Sequence, residues 1–255
     1  MIEFFSELKK RNAILFRFGW LCLLGVLACM VLYQRDTSFF VAGVNAWLKP
    51  LKFFFSVAAF SWTIAWYLHY LNNPRKIKSY TWMVVMVMSF ELLIITWQAA
   101  NGRLSHFNIS TPLYSALFSA MGIAITVLTS WTAYIAFLFF KNKPIGLSET
   151  YLWGIRFGLV FFVIFSFEGG IMAQRLAHTV GNVDGSPGLP LFNWSRVYGD
   201  LRVAHFFGIH SLQLLPLVGY YLCTRKWQII LFSALYFLFV VVLLVQALYK
   251  IPFIT

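Results

Sequence analysis

Two carboxylates and two histidines lie inside long apolar stretches of this sequence. Glu91 and Glu168 each interrupt such a stretch, and His205 and His210 occur together in another. An ionisable side chain in an apolar environment is costly unless it is paired or neutral, so such residues usually mark a functional site. Imidazole and carboxylate groups transfer protons and bind metals. We therefore predict catalytic roles for Glu91, Glu168 and His210.

Helical spacing places further polar groups beside these residues. Three pairs lie three or seven positions apart, so each pair shares one face of a helix: Glu91 with Gln98, Glu168 with Arg175, and His210 with Gln213. We expect these faces to meet in one polar pocket that opens to the outer side of the membrane predicted below. Arg103, His106 and His178 lie in adjoining polar segments and are expected at its mouth. With Gln98, Arg175 and Gln213, they are predicted to bind a substrate or cofactor.

The two intramembrane histidines favour no single metal geometry. His205 and His210 are five residues apart, or about 140° around a helix, so they cannot chelate one metal ion from one face. Together with Glu168 they could supply a mixed His/carboxylate site for a transition metal. Alternatively, His210 with His106 or His178 could be axial ligands of haem b.

Composition shows which elements must position these groups. The 255 residues are 60% hydrophobic and only 11% charged, whereas soluble domains carry about 25% charged residues. The sequence thus predicts an all-α, polytopic membrane protein, a bundle of seven transmembrane helices forming a single domain over residues 1–255. The predicted spans are 13–33, 53–72, 80–100, 112–140, 151–175, 201–223 and 228–248.

The connecting segments give the predicted topology. Twelve of the 20 Lys and Arg residues lie on one side of the bundle: they precede the first span or follow the second, fourth and sixth spans, with Arg17 and Arg156 counted although they lie just inside the first and fifth spans. The positive-inside rule therefore puts the N-terminus in the cytoplasm and the C-terminus outside. We further expect a surface helix over residues 35–52, a local irregularity at Gly169 and Gly170, and a structured, functional loop over residues 176–200.

Three functions fit these features. The first is a membrane-embedded oxidoreductase or other metal-dependent enzyme whose His/Glu pocket binds a metal, haem or small molecule. The second is a proton-coupled transporter or channel, and the third a non-catalytic sensor or complex subunit that binds a lipid or quinone. The net charge of +12 is explained by the topology, so nucleic acid is not an expected partner. We expect the protein in a cell membrane, with the bacterial inner membrane favoured.

Overall fold

The computed structural model describes residues 2–142, 144, 146–185 and 188–254. Lys143, which contributes to the predicted topology, lies outside this part of the chain. The described residues form an all-α structure of eight helices: α1 (Ile2–Arg11), α2 (Ala13–Arg35), α3 (Leu48–Leu68), α4 (Pro74–Ala100), α5 (Pro112–Lys141), α6 (Glu149–Arg175), α7 (Leu201–Tyr221) and α8 (Lys226–Leu248). Two short antiparallel ladders pair β1 (Phe40–Val41) with β2 (Val44–Asn45), and β3 (Thr179–Val180) with β4 (Gly199–Asp200).

Among the described residues, the seven helices α2 to α8 are long and apolar enough to cross a bilayer, so the number of candidate spans is the predicted one. Their ends lie close to the predicted ones except in α3 and α4. Helix α3 begins at Leu48 and ends at Leu68, ahead of the predicted 53–72, and α4 begins at Pro74, six residues before the predicted start at 80. Pro50 falls in the first turn of α3, where proline is tolerated because the N–H that it lacks would have no intrahelical partner.

Two local predictions are wrong. Residues 35–52 contain no separate surface helix, because β1 and β2 form a hairpin whose turn residues Ala42 and Gly43 both adopt positive φ. Helix α6 runs unbroken through Gly169 and Gly170, so these glycines cause no irregularity. The short helix α1 was not predicted. It is held by Leu8, which is fully buried, and by the ring of Phe5, which contacts Trp20 and Trp62.

The chain divides into two compact units, Met1–Leu128 and Thr129–Thr255, and the expectation of a single domain stays a prediction. In unit 1, Asn12 caps α2 by accepting a hydrogen bond from the Leu15 N–H. The Asn12 side-chain amide also donates to Thr81 Oγ1 on α4, at 2.8 Å. This bond fixes the first turn of α2 against α4.

Unit 2 is built on a close contact between the backbones of α6 and α7. A Cβ at Gly154 would lie 2.6 Å from the Leu215 carbonyl oxygen, and one at Gly158 would lie 2.9 Å from that of Ser211. From the other side, a Cβ at Gly219 would lie 2.5 Å from a carbonyl oxygen of α6. Small residues spaced in this way let two apolar helices approach closely and gain van der Waals contact.

The same contact continues towards the other end of α7 through Gly208. A Cβ at this position would lie 2.1 Å from Cγ of Phe165, a side chain that is 2% exposed. The absence of a side chain at Gly208 therefore gives the Phe165 ring its space.

We expect Gly208→Ala to destabilise the protein, because the added methyl group must displace the buried Phe165 ring. Overpacking of this kind costs about 2 kcal/mol, so the midpoint of thermal unfolding in detergent should fall by about 5 °C. Gly122→Ala is the matched control, since Gly122 is an exposed helical glycine and a Cβ added there would meet none of the described residues within 4 Å. Equal midpoints for the two variants would contradict the packing argument.

Candidate functional site

A histidine–carboxylate pair joins α6 to α7. His205 Nδ1 lies 3.3 Å from Glu168 Oε2. The Glu168 side chain is 5% exposed and that of His205 is 30% exposed, so the imidazole is the accessible part of the pair. The second carboxyl oxygen, Oε1 of Glu168, is buried and has no hydrogen-bond partner among the described residues. We call Glu168 and His205 the dyad.

The position of the dyad follows from the helices that carry it. His205 lies four residues after the start of α7, and Glu168 lies seven residues before the end of α6. Both groups are therefore about 6–11 Å along the helix axes from these ends. A Cβ at Gly169 would lie 3.1 Å from His205 Cε1, so the glycine provides the space that the imidazole occupies.

His210 pairs within its own helix. Its Nδ1 lies 3.2 Å from Oε1 of Gln213, and its ring centroid lies 4.4 Å from that of Phe206. Because the amide oxygen of Gln213 is an acceptor, Nδ1 carries the proton and donates it. The predicted proximity of His210 and Gln213 is thus observed.

The predicted metal ligands do not form one cluster. Glu168 and His205 are in contact, whereas His210 Nδ1 is directed to Gln213. Within the described part of the chain, no three His, Cys, Asp or Glu side chains are grouped as metal ligands. The donor set therefore gives a transition-metal site no support, and haem b stays a prediction from sequence.

Two other predicted residues are buried in unit 1. Glu91 and Gln98 lie on α4 and are 5% and 1% exposed. In each, the Oε1 atom is buried and has no partner among the described residues. Lys49, on the first turn of α3, interacts electrostatically with Glu91.

Arg103 and His106 lie beyond the end of α4 in the same unit. The Arg103 side chain is exposed. His106 Nδ1 is 3.1 Å from Ser105 Oγ, and its ring centroid is 5.7 Å from that of Phe53 on α3. The structure thus places Glu91, Gln98, Arg103 and His106 in unit 1, and the dyad, His210 and Gln213 in unit 2. A single pocket formed by all of them stays a prediction.

The remaining two predicted residues frame the long loop of unit 2. Arg175 is exposed in the last turn of α6. His178 Nδ1 lies 2.7 Å from Asp184 Oδ2, and Asp184 also accepts hydrogen bonds from the backbone N–H groups of His178 and Thr179. Burial alone would raise the pKa of Asp184, but these bonds and the charge of His178 outweigh it and hold the pKa well below its usual range.

Asp200 organises the other end of this loop. It caps α7 by accepting a hydrogen bond from the Arg202 N–H. It also accepts one from the Ser195 N–H at 2.8 Å and forms an ion pair with the Arg202 guanidinium. The same guanidinium donates to the carbonyl oxygen of Asn193. Sequence reasoning missed the roles of Asp184 and Arg202, although Asp184 and Asp200 are the only carboxylates within residues 176–200.

Comparison with protein-family models, with curated proteins and with solved structures gave no match.

Gly169→Ala should disturb the dyad while leaving α6 helical. The added Cβ would lie 3.1 Å from the His205 ring, so the imidazole must move and its contact with Glu168 should weaken. In ¹⁵N-histidine NMR spectra, we expect the His205 signals, assigned with His205→Ala, to shift. Gly170→Ala is the control, because a Cβ at this neighbouring glycine would meet none of the described residues within 4 Å and gains the same helix propensity. The dyad geometry is refuted if only Gly170→Ala shifts these signals.

Asp184→Asn should loosen residues 178–184, because an amide oxygen accepts the three hydrogen bonds less strongly than a carboxylate. We expect the free energy of local opening to fall by about 1–2 kcal/mol, measured by hydrogen exchange. The depressed pKa also sets a pH dependence. The ionised group stabilises the loop fully above the unperturbed Asp value of about 3.9, and this stabilisation is lost as the pH falls towards the lower pKa of the folded protein.

Asn182→Ala is the control for this loop variant, since the Asn182 side chain accepts a hydrogen bond from the next backbone N–H and does not contact Asp184. Amide hydrogen exchange in Asn182→Ala should match that of the wild type. Two results would show that the carboxylate does not hold the loop. One is wild-type protection from exchange that does not decline on acidification, after correction for the intrinsic pH dependence of exchange, and the other is unchanged protection in Asp184→Asn.

Proposed function

We propose that this chain is a multi-pass membrane protein of the bacterial inner membrane, with its N-terminus in the cytoplasm and its C-terminus outside. Seven helices of sufficient length and apolar character support insertion, and the distribution of basic residues supports the orientation. In this topology the dyad lies in the outer half of the membrane. Labelling of single cysteines from either side would test the orientation.

We further propose that the dyad binds a small, hydrogen-bonding molecule and exchanges a proton with it. The observation that carries this proposal is the buried Oε1 of Glu168, which has no partner among the described residues, beside an Oε2 atom that contacts His205. An unsatisfied buried carboxyl oxygen is unfavourable. A ligand that donates a hydrogen bond to Oε1 would satisfy this oxygen, and the removal of the unfavourable free energy would contribute to its affinity.

The chemistry of the dyad indicates the class of ligand. An ionised Glu168 accepts the Nδ1 proton of His205, and its Oε1 can accept a second proton from a ligand hydroxyl group. Phe165 lies one turn before Glu168 on α6 and packs against Gly208, one turn after His205 on α7. An acceptor beside an aromatic ring suits an amphipathic hydroxyl compound of the phenol or hydroquinone type, which matches the lipid- or quinone-binding function expected from sequence.

The arrangement favours a ligand site over a conduction path along the α6–α7 contact. Beyond the dyad, Gly154, Gly158 and Gly219 bring the two backbones so close that a single added methyl group would overlap carbonyl oxygens. This packing leaves no space between α6 and α7 for a file of water or ions. A pathway for coupled transport would need groups elsewhere in the chain.

Glu168→Gln should weaken binding of a short-chain alkyl hydroquinone, because the variant keeps the size of the side chain but loses the proton acceptor. The apparent affinity is measured from the rise in the unfolding temperature of the purified protein as the probe is added. We expect this affinity to fall by at least about tenfold, the effect of losing one hydrogen bond to a charged group. Glu149→Gln removes an exposed carboxylate from the same helix and should bind as the wild type does.

Infrared difference spectra provide a second readout of the same proposal. Addition of the probe should change the C=O stretching band of a protonated carboxyl group in the wild type and in Glu149→Gln, but not in Glu168→Gln. An unchanged affinity in Glu168→Gln would contradict the proposed site. Binding to the wild type without a change in the carboxyl band would contradict proton exchange.

A further inference from the structure

Arg156 is a buried cation near the opposite end of α6 from the dyad. It is 9% exposed and lies seven residues after the start of the helix, about 10 Å along its axis. A buried arginine in an apolar helix requires compensation and marks a candidate site. Neither the dyad nor the loop over residues 176–200 involves it.

Only part of the Arg156 guanidinium is used within the protein. Its Nε donates to the carbonyl oxygen of Phe139 at 2.9 Å. This oxygen belongs to the last turn of α5, where carbonyl groups have no intrahelical partner. The guanidinium carbon also lies 4.9 Å from the ring centroid of Trp153 and 5.3 Å from that of Phe140. The two Nη groups have no hydrogen-bond partner among the described residues.

A second cation lies against the same tryptophan. Lys226 Nζ, at the start of α8, is 4.9 Å from the Trp153 ring centroid, so the two charges are within about 10 Å of each other. Lys226 forms an ion pair with Glu149 at 3.1 Å, but both side chains are substantially exposed, at 44% and 62%. Exposed ion pairs of this kind contribute little, so the lysine can exchange its partner at small cost.

We propose that Arg156 and Lys226 bind the phosphate group of an anionic phospholipid against Trp153. The Nη pair of an arginine matches two phosphate oxygens, and its position is already fixed by the bond to α5. The surrounding surface is apolar and aromatic: Phe140, Tyr220 and Trp227 are 44%, 61% and 56% exposed. Such a belt belongs at the level of lipid headgroups, and a long arginine side chain reaches from within the helix towards that level. A lipid is therefore favoured over free phosphate.

Native mass spectrometry of the full chain tests this site. Phosphatidylglycerol and phosphatidylcholine are added at equal concentration to the protein in a mild detergent, with inorganic phosphate as a competitor in a separate series. We expect selective retention of phosphatidylglycerol and an affinity lower by about tenfold or more in Arg156→Lys and in Lys226→Gln. Lys141→Gln removes an exposed cation from the end of α5 and should bind as the wild type does.

Three outcomes would overturn the proposal: an equal loss of binding in Lys141→Gln, equal retention of phosphatidylcholine, or full displacement of the lipid by an equal concentration of inorganic phosphate. The last would make free phosphate the ligand. Because Arg156 also caps α5, its variant could fold poorly. Lys226→Gln leaves that cap intact, so unchanged lipid binding in this variant alone would also refute the site.

Discussion

The backbone contact between α6 and α7 is the constraint on which the rest of unit 2 depends. At Gly154, Gly158 and Gly219 no side-chain atom holds the two helices apart. Ser211 takes advantage of the short separation, since its hydroxyl group can donate to the Gly158 carbonyl oxygen at 3.3 Å as well as to its own helix. Such a contact fixes the rotation and register of both helices, because any slip would bring a larger residue against a backbone.

The dyad is a consequence of this register. Glu168 and His205 lie on the same helix faces as the glycines, nearer the loop that joins α6 to α7, and Gly169 gives the imidazole its space. Residues of the loop between α6 and α7 stabilise this arrangement. Asp200 begins α7 and binds Arg202, while Asp184 holds the backbone that follows α6. Packing, capping and loop closure therefore act together on the two groups for which we propose a function.

Most of the helical architecture could be predicted, because uninterrupted apolar length determines where a helix can cross a bilayer. The start of α3 could not, since Lys49, Pro50 and Lys52 were assigned to a surface helix over residues 35–52, although proline and snorkelling lysines also fit the first turn of a transmembrane helix. The hairpin before α3 depends on positive φ at Ala42, a residue type that gives no such signal.

The candidate site was predicted as a set of residue types but not as a set of contacts. Apolar surroundings identified Glu168 and His205 individually. Their pairing depends on the relative register of two helices, because the two residues are 37 positions apart in sequence. Periodicity does foresee neighbours on one helix, as with His210 and Gln213. It cannot foresee that His210 turns to Gln213 rather than to Glu168, which is why the expected metal ligands are not grouped.

The sequence distance within the dyad has a consequence for biosynthesis. The ribosome makes Glu168 before His205, so α6 must enter the membrane while its carboxyl group still lacks the imidazole. An unpaired carboxylate is costly in hydrocarbon, whereas the protonated acid is tolerated far better. Glu168 therefore enters the membrane without its partner, and it gains the imidazole of His205 only when α7 packs against α6. Assembly of the helix pair and completion of the dyad become a single event.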